Sequence, residues 1–341
     1  MILIHFNIRL KTIIIKCCFS IKTMSFIDLH KKSLFVTKEP LAGADIRTLL
    51  SLLKQNKFHV SVPYLPRLFY SFLLSGILSP FRYRDRKSMK KIKDKNIIKH
   101  PPLFLLGHWR GGTTYLHNML SKDSQFGFFS TFDAYAPGIF LKNEQLLKGI
   151  VAGSLPKKRP MDDVVMGADL PQEDEYALGG MSVYSYYHGW CFPKNMGLYD
   201  RYVWLDDVSE SVKDDFKKTY LYLLNKATIK NNGRCLLLKN PSNTARIKLL
   251  LEMFPDAKFV HIHRNPYHQF LSMSRFMKIV IPLYCLQTPP SFDEVEEHLL
   301  GMYEHMYRAY LAERKLVPKD HLIGRARYER DAHANLQNKW K

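Results

Sequence analysis

Acidic residues are scarce in this chain of 341 residues: 31 Asp and Glu stand against 51 Lys and Arg, a formal charge of +20. That imbalance favours an anionic partner, without separating nucleic acid, a membrane surface and a phosphorylated small molecule. No zinc finger, aromatic RNA-binding signature or other nucleic-acid module is present, so no nucleic-acid partner is expected. Cysteine is sparse too. The five, Cys17, Cys18, Cys191, Cys235 and Cys285, are odd in number and lack metal-ligand or disulfide-framework spacing. They argue against a disulfide scaffold, fit a reducing compartment and give no reason to expect a metal. Apolar runs are too short to span a bilayer. Residues 1–23 resemble neither a signal peptide nor an anchor, because Arg9, Lys11 and Lys16 interrupt them and no small-residue cleavage site follows. A cytoplasmic chain is expected. Internal repeats and low-complexity tracts are also missing.

What is present suffices for a buried core, with a hydrophobic fraction of 46%. Residues 1–23 read as an extension upstream of Met24, and residues 24–100 as a helical and basic N-terminal region. Within it, LFYSFLLSGIL runs into RYRDRKSMKKIKDKNIIKH, residues 82–100. Such a pairing fits peripheral contact of residues 68–100 with an anionic membrane surface, or a solvated basic linker.

The stretch LLGHWRGGTTYLHNML, residues 105–120, reads as a strand, a glycine turn and a helix start. A helix N-terminus carries unpartnered N–H groups and the positive end of the dipole, and a glycine turn lets an anion approach them. The segment is close to GxxxxGK[ST], with Gly107 and Gly112 in place, but Thr113 stands where the lysine would be. The nearest cation, Arg110, lies inside the loop, so ATP or GTP hydrolysis is the weaker reading.

Further on, residues 206–229 carry helical periodicity, RCLLLKN reads as a second strand, TARIKLLLEMF as a helix, and KFVHIHR as a third strand leading into a helix from Tyr267. Residues 291–314 add a long helix and HLIGRARY a last strand. This alternation predicts the α/β class with a parallel sheet covered on both faces. Ligands in such sheets sit at the carboxyl ends of the strands, which gathers Arg110, Lys239 and Arg264 around one crevice.

With these residues in view, the chain resembles the sulfotransferases that use 3′-phosphoadenosine 5′-phosphosulfate (PAPS). GHWRGGTT, residues 107–114, is similar to their 5′-phosphosulfate loop; RNPYHQFLS, residues 264–272, is similar to their 3′-phosphate motif, with an Arg and a Ser eight positions later. LPQEDEYAL and LLLKNPSNTARIKLLLEMFPDAKFVHIHRNP resemble a bacterial-type branch that acts on small or lipid alcohols. The resemblance implies a three-layer α/β/α architecture around a central parallel sheet, the P-loop NTPase-like sulfotransferase fold. It spans a PAPS-dependent sulfotransferase domain at 101–330, with 331–341 as a short tail. It implies that Arg110 contacts the 5′-phosphate and the departing oxygen, that Gly111, Gly112, Thr113 and Thr114 present backbone N–H and hydroxyl donors, and that Gly107 belongs to the same cofactor-binding loop. Arg264 and Ser272 would bind the 3′-phosphate, and Tyr328 would belong to an Arg-Tyr-Glu element near the donor. PAPS is the implied co-substrate, and transfer to a small or lipid-like alcohol, a sterol included, the implied reaction, with no obligatory metal.

Three departures stand out. Gly111 replaces a serine, KNPSN holds Pro241 and Asn243 where relatives often show a histidine, and the C-terminal element matches only through Tyr328 and Glu329, which fits a truncated or divergent end. The hydroxyl proton therefore needs a carboxylate base. Asp133 in STFDAYAP is the first candidate, Glu173, Asp174 and Glu175 in LPQEDEYAL are the second, and Lys239 is a further catalytic cation. His188, His261 and His263 remain alternatives, the last two reading better as strand core. MSVYSYYHGWCFP, residues 181–193, suits either an apolar acceptor or the core. A P-loop nucleoside kinase or NTPase, and a non-enzymatic basic membrane-surface protein, are the rival functions; affinity for adenosine 3′,5′-bisphosphate separates all three.

Overall fold

A computed structural model describes residues 39–92, 97–162 and 164–326. The expectations for residues 1–23, for Tyr328 and Glu329 and for the 331–341 tail lie outside the described residues. In chain order the helices are α1 (Ile46–Gln55), α2 (Leu65–Lys91), α3 (Thr113–Leu120), α4 (Thr131–Tyr135), α5 (Glu144–Ser154) and α6 (Asp174–Met181), followed by α7 (His188–Cys191), α8 (Met196–Trp204), α9 (Glu210–Lys230), α10 (Ile247–Met253), α11 (Pro266–Tyr284) and α12 (Phe292–Glu313). The strands are β1 (Leu103–Leu106), β2 (Phe126–Gly127), β3 (Cys235–Lys239), β4 (Lys258–His263) and β5 (Leu322–Ala326), all parallel, in the order β2-β3-β1-β4-β5.

The expected α/β/α architecture is borne out, and the two-residue period of the strands shows how its layers form. Phe104 and Leu106 of β1 enter the large core cluster with Leu238 and Phe259, whereas Leu103 and Leu105 face Leu237, Val260 and Leu116 of α3. Register agrees, with Leu103 opposite both Leu237 and Lys258. From β1 the chain runs towards β2 on one side, and from β4 towards β5 on the other. Connections that part in opposite directions leave a crevice at the carboxyl ends of β1 and β4.

One expectation needs correction. Residues 82–91 are not a solvated linker; they continue α2, a helix of 27 residues that runs through Pro80. Proline removes a helical donor, and here the buried Arg82 reaches back to the Ser75 carbonyl at 2.6 Å and the Ala44 carbonyl at 2.8 Å. Asp85 and Lys226 of α9, both fully buried, form an ion pair at 3.0 Å. Arg67 donates to the carbonyls of Cys285 and Pro282 at 3.0 and 3.1 Å. Removing one partner of such a buried pair costs about 3–5 kcal/mol, so α2 is fixed to the sheet domain rather than tethered to it.

Candidate active site

The turn after β1 is shaped by backbone that side chains resist. Gly107 has φ 140° and a Cβ there would lie 2.4 Å from the Ile262 carbonyl oxygen; Gly112, the residue before α3, has φ 106°. Arg110 also sits at positive φ, 65°, a conformation costing of the order of 1–3 kcal/mol for a non-glycine residue. The loop is held from three sides. Gly107 N–H donates to Thr244 Oγ1 at 2.8 Å, Gly111 N–H to the His108 carbonyl at 3.0 Å, and Gln269 Nε2 to the Trp109 carbonyl at 2.9 Å. Thr113 and Thr114 open α3, where no intrahelical carbonyl accepts their N–H groups.

Beside this turn lies a cavity of about 310 Å³. Arg110, Thr113, Thr114 and Glu173 line it. Trp109, Tyr176, Tyr187, Trp190 and Phe276 add an aromatic lining, Leu74, Leu147 and Val151 of α2 and α5 an aliphatic one, and Glu39, Arg159 and Gln172 further polar groups. The aromatic run 181–193 thus divides: Tyr187 and Trp190 face the cavity, stacked at 4.1 Å, while Tyr186 is fully buried in the core.

Glu173 is the carboxylate at this junction. It precedes α6 without capping it, and its two oxygens meet Lys239 Nζ and the Tyr187 hydroxyl instead. Tyr187 in turn accepts from Trp109 Nε1 at 3.0 Å, and Lys239 reaches Thr114 Oγ1 at 3.4 Å. Burial pushes the Lys239 ammonium below its ordinary value, a shift that the Glu173 carboxylate opposes.

Glu39, whose carboxyl burial raises to about 8, also lines the cavity, but the structure does not bring the other expected carboxylates here. Asp133 does not line the cavity: it completes a capping box with Ser130 and pairs with Lys230 at 2.6 Å. Both of its oxygens are spent on Ser130 and Lys230, even though burial raises its carboxyl above the ordinary value. Glu175 is locked by Arg246 at 3.0 Å, Asn240 at 2.6 Å and the Tyr186 N–H at 3.0 Å. Asp174 accepts from the Tyr220 hydroxyl at 2.7 Å, and burial lifts it to about 7. His188 and His261 are buried and pulled down to about 4 and about 3 by desolvation, His261 stacked on Tyr310 at 4.1 Å.

The expected meeting of three cations is partial. Arg110 lines the cavity and Lys239 touches two of its lining residues, but Arg264 does not line it. Arg264 follows β4, and its Nε is buried without a hydrogen-bond partner, a state that invites an acceptor. Ser272 accepts from Arg110 Nε at 3.0 Å, which joins the α11 motif to the β1 loop. Two residues escaped sequence reasoning. Asp162 accepts from Arg110 Nη1 at 2.5 Å and from Arg159 Nη2 at 2.6 Å. Burial alone would raise the Asp162 carboxyl, yet these two guanidinium groups hold it below its ordinary value. They lie in KKRPMDD, which has neither periodicity nor a motif to mark it.

A parallel α/β sheet with a lysine-free, glycine-turned loop leading into a helix at its switch point is the class that fold and site define. Residues 101–330 match the Sulfotransferase family, and the chain belongs to it. Over 223 residues it is 33% identical to the omega-hydroxy-beta-dihydromenaquinone-9 sulfotransferase Stf3 of Mycobacterium bovis, and equally to that of Mycobacterium tuberculosis. The match covers 65% of this chain and only 57% of either relative. The fold is shared with two solved structures. Sulfotransferase STF9 from Mycobacterium avium has a TM-score of 0.51 at 21% identity, over 75% of this chain and 68% of that one. Sulfotransferase STF1 from Mycobacterium tuberculosis H37Rv has a TM-score of 0.53 at 16% identity, over 82% and 75%.

Proposed function

We propose that this chain transfers the sulfuryl group of PAPS to the hydroxyl of a lipid-like alcohol by in-line displacement. The observation that carries the reading is one junction: the glycine-turned loop (Arg110, Thr113, Thr114) and a carboxylate (Glu173) line one cavity together with a largely aromatic and aliphatic wall. A donor's 5′-phosphosulfate would lie against the N-terminus of α3, with Arg110 on the departing oxygen. Arg264, with its unpartnered Nε, and Ser272, already joined to Arg110, would hold the 3′-phosphate. The acceptor oxygen forms a bond to sulfur as the bond from sulfur to the 5′-phosphate oxygen breaks, leaving its electron pair on that oxygen. The acceptor proton passes to Glu173. Lys239 holds Glu173 and Thr114 together and offsets charge at the reacting centre.

A largely apolar cavity of this size suits a hydrocarbon chain carrying a terminal hydroxyl. The relatives' name points the same way, to an ω-hydroxylated quinone lipid. Residues 101–330 would then carry the chemistry, with α2 supplying part of the acceptor wall.

Calorimetry with adenosine 3′,5′-bisphosphate tests the donor half, and transfer of labelled sulfate from PAPS to a hydroxylated polyprenyl lipid, with a sterol for comparison, tests the acceptor half. Arg264→Ala is expected to weaken bisphosphate binding far more than binding of adenosine 5′-phosphate. Equal losses would remove Arg264 from the 3′-phosphate. Absence of any bisphosphate affinity in the parent would overturn the donor assignment.

A further inference from the structure

The outer side of α2 is left without a partner among the described residues. Its inner side buries Arg67, Ser71, Ser75, Arg82 and Asp85, while Phe69, Leu73 and Ile77 are 70%, 49% and 55% exposed. These three recur every four residues along one face, and Arg84, Lys87 and Lys91, all exposed, continue the same face beyond Pro80. The stripe is apolar for its first half and cationic for its second.

The stripe is also continuous with the cavity. Tyr70, Leu74 and Leu78, next to it on α2, line the cavity, as does Ile150 of α5. Ile150 is at the same time 70% exposed, and Leu146, one turn before it, is 62% exposed. Exposed apolar side chains therefore adjoin cavity-lining ones on both α2 and α5, with exposed cations further along α2. Large exposed apolar patches mark interaction sites, and a helix with an apolar stretch flanked by Lys and Arg is suited to an anionic lipid surface. No described helix is long and apolar enough to cross a membrane, so the contact would be made by one face only.

We propose that the rim formed by Phe69, Leu73, Ile77, Leu146 and Ile150 docks on an anionic bilayer, and that the lipid acceptor slides from the membrane into the cavity between α2 and α5. Arg84, Lys87 and Lys91 hold the phosphate headgroups while the apolar side chains enter the headgroup boundary. The acceptor half rests on the lipid-alcohol reading above. The docking half does not. An acceptor delivered this way never exposes its tail to water.

Flotation of the full chain with vesicles of phosphatidylcholine and phosphatidylglycerol, with neither donor nor acceptor added, tests the docking. Binding to these vesicles, weakening as salt rises, is expected, with little binding to phosphatidylcholine alone. Lys87→Gln with Lys91→Gln should lower the affinity roughly twentyfold. Phe69→Ser with Ile77→Ser should lower it at least tenfold while leaving adenosine 3′,5′-bisphosphate affinity unchanged, which also shows that the variant is folded. Equal binding by parent and variants would overturn the proposal, as would equal binding to neutral vesicles. So would a dimer in sedimentation that the Phe69 and Ile77 changes disperse, since a second copy would then cover this face. Cross-linking of position 73 to residues 1–38 in the absence of lipid would assign the face to the chain's own N-terminal segment. Loss of bisphosphate affinity in the parent would defeat the sulfotransfer reading and leave the vesicle result standing.

Discussion

Two buried acid–lysine pairs stand at the starts of two short helices and end in different roles. At α4, Asp133 is the third helical residue; Ser130 N–H donates to one of its oxygens at 3.0 Å and Lys230 to the other at 2.6 Å, with Glu144 also on Lys230 at 2.9 Å. At α6, Glu173 stands one position before the helix and does not cap it. Its oxygens turn to Lys239 and Tyr187, beside Thr114, on the wall of the cavity. Residue type, burial and a lysine partner are common to both. What separates them is where the carboxylate oxygens find their donors. Asp133, at the third helical position, answers its own N-cap in a capping box, whereas Glu173 holds an N-cap position, where an acid such as Asp45 of α1 does cap its helix, yet its oxygens are drawn to Lys239 and Tyr187 instead.

Exchanging the two carboxylates for amides tests that contrast most strongly at Glu173. Glu173→Gln is expected to slow sulfate transfer about 10²–10⁴-fold, the usual effect of removing a positioned base, with adenosine 3′,5′-bisphosphate binding unchanged. Rate measurements at saturating PAPS decide it. If Asp133→Asn produces that loss instead and Glu173→Gln does not, the contrast is reversed and the base lies at α4.

Much of the turn after β1 was legible because it is written in backbone requirements. Gly107, Gly112 and the strand runs around them follow from what a tight turn and a two-faced strand demand of residue type, and the order of strands and helices predicts the crevice. The cavity was not legible, for a physical reason. Its wall is assembled from α2, α5 and the 181–193 run, whose apolar residues look the same in a core as in a cavity; only packing tells Tyr187 from Tyr186. Arg159 and Asp162 were hidden because an ion pair in an irregular segment imposes no period. α2 was read as an apolar stretch followed by a linker because Pro80 interrupts it and its buried face carries Arg, Asp and Ser, whose partners come from distant elements. Asp133 was misplaced since its capping role depends on which residue starts α4, a boundary that sequence fixes poorly.

A smaller effect asks whether an imidazole shares the loop. His108 lies in the donor loop, packed on Tyr303 at 5.0 Å, with Nδ1 3.0 Å from the Trp109 carbonyl, and burial pulls it down to about 4. The unfolded chain binds this proton near the ordinary value of 6.5, the folded chain only near 4. The folded state is therefore favoured above 6.5, and that contribution is lost as pH falls through about 4, roughly 3 kcal/mol in all. Denaturant unfolding between these pH values should show a steep acid loss, less steep in His108→Asn. An unchanged slope in the variant would mean that His108 is already charged in the fold, and an imidazolium in the loop would then compete with Arg110 for the donor.

The smallest expected effect lies at the other member of the comparison. Asp133→Ala removes a capping carboxylate and one partner of Lys230, but Lys230 keeps Glu144 at 2.9 Å and is 18% exposed, so little uncompensated charge remains. The loss should stay near that of a helix cap, about 1–2 kcal/mol in denaturant unfolding. Because Asp133 lies off the cavity, the folded variant should turn over PAPS at the parent's rate once both are measured well below the unfolding midpoint. A second substitution, Asp133→Asn, keeps the shape and one acceptor oxygen, and should recover part of the stability with the rate still unmoved. A rate that both variants leave unmoved, while the unfolding midpoint falls with Asp133→Ala and partly returns with Asp133→Asn, marks a purely structural carboxylate. A rate that falls with both while the unfolding midpoint holds would place Asp133 in the chemistry and dissolve the distinction between the two helix starts.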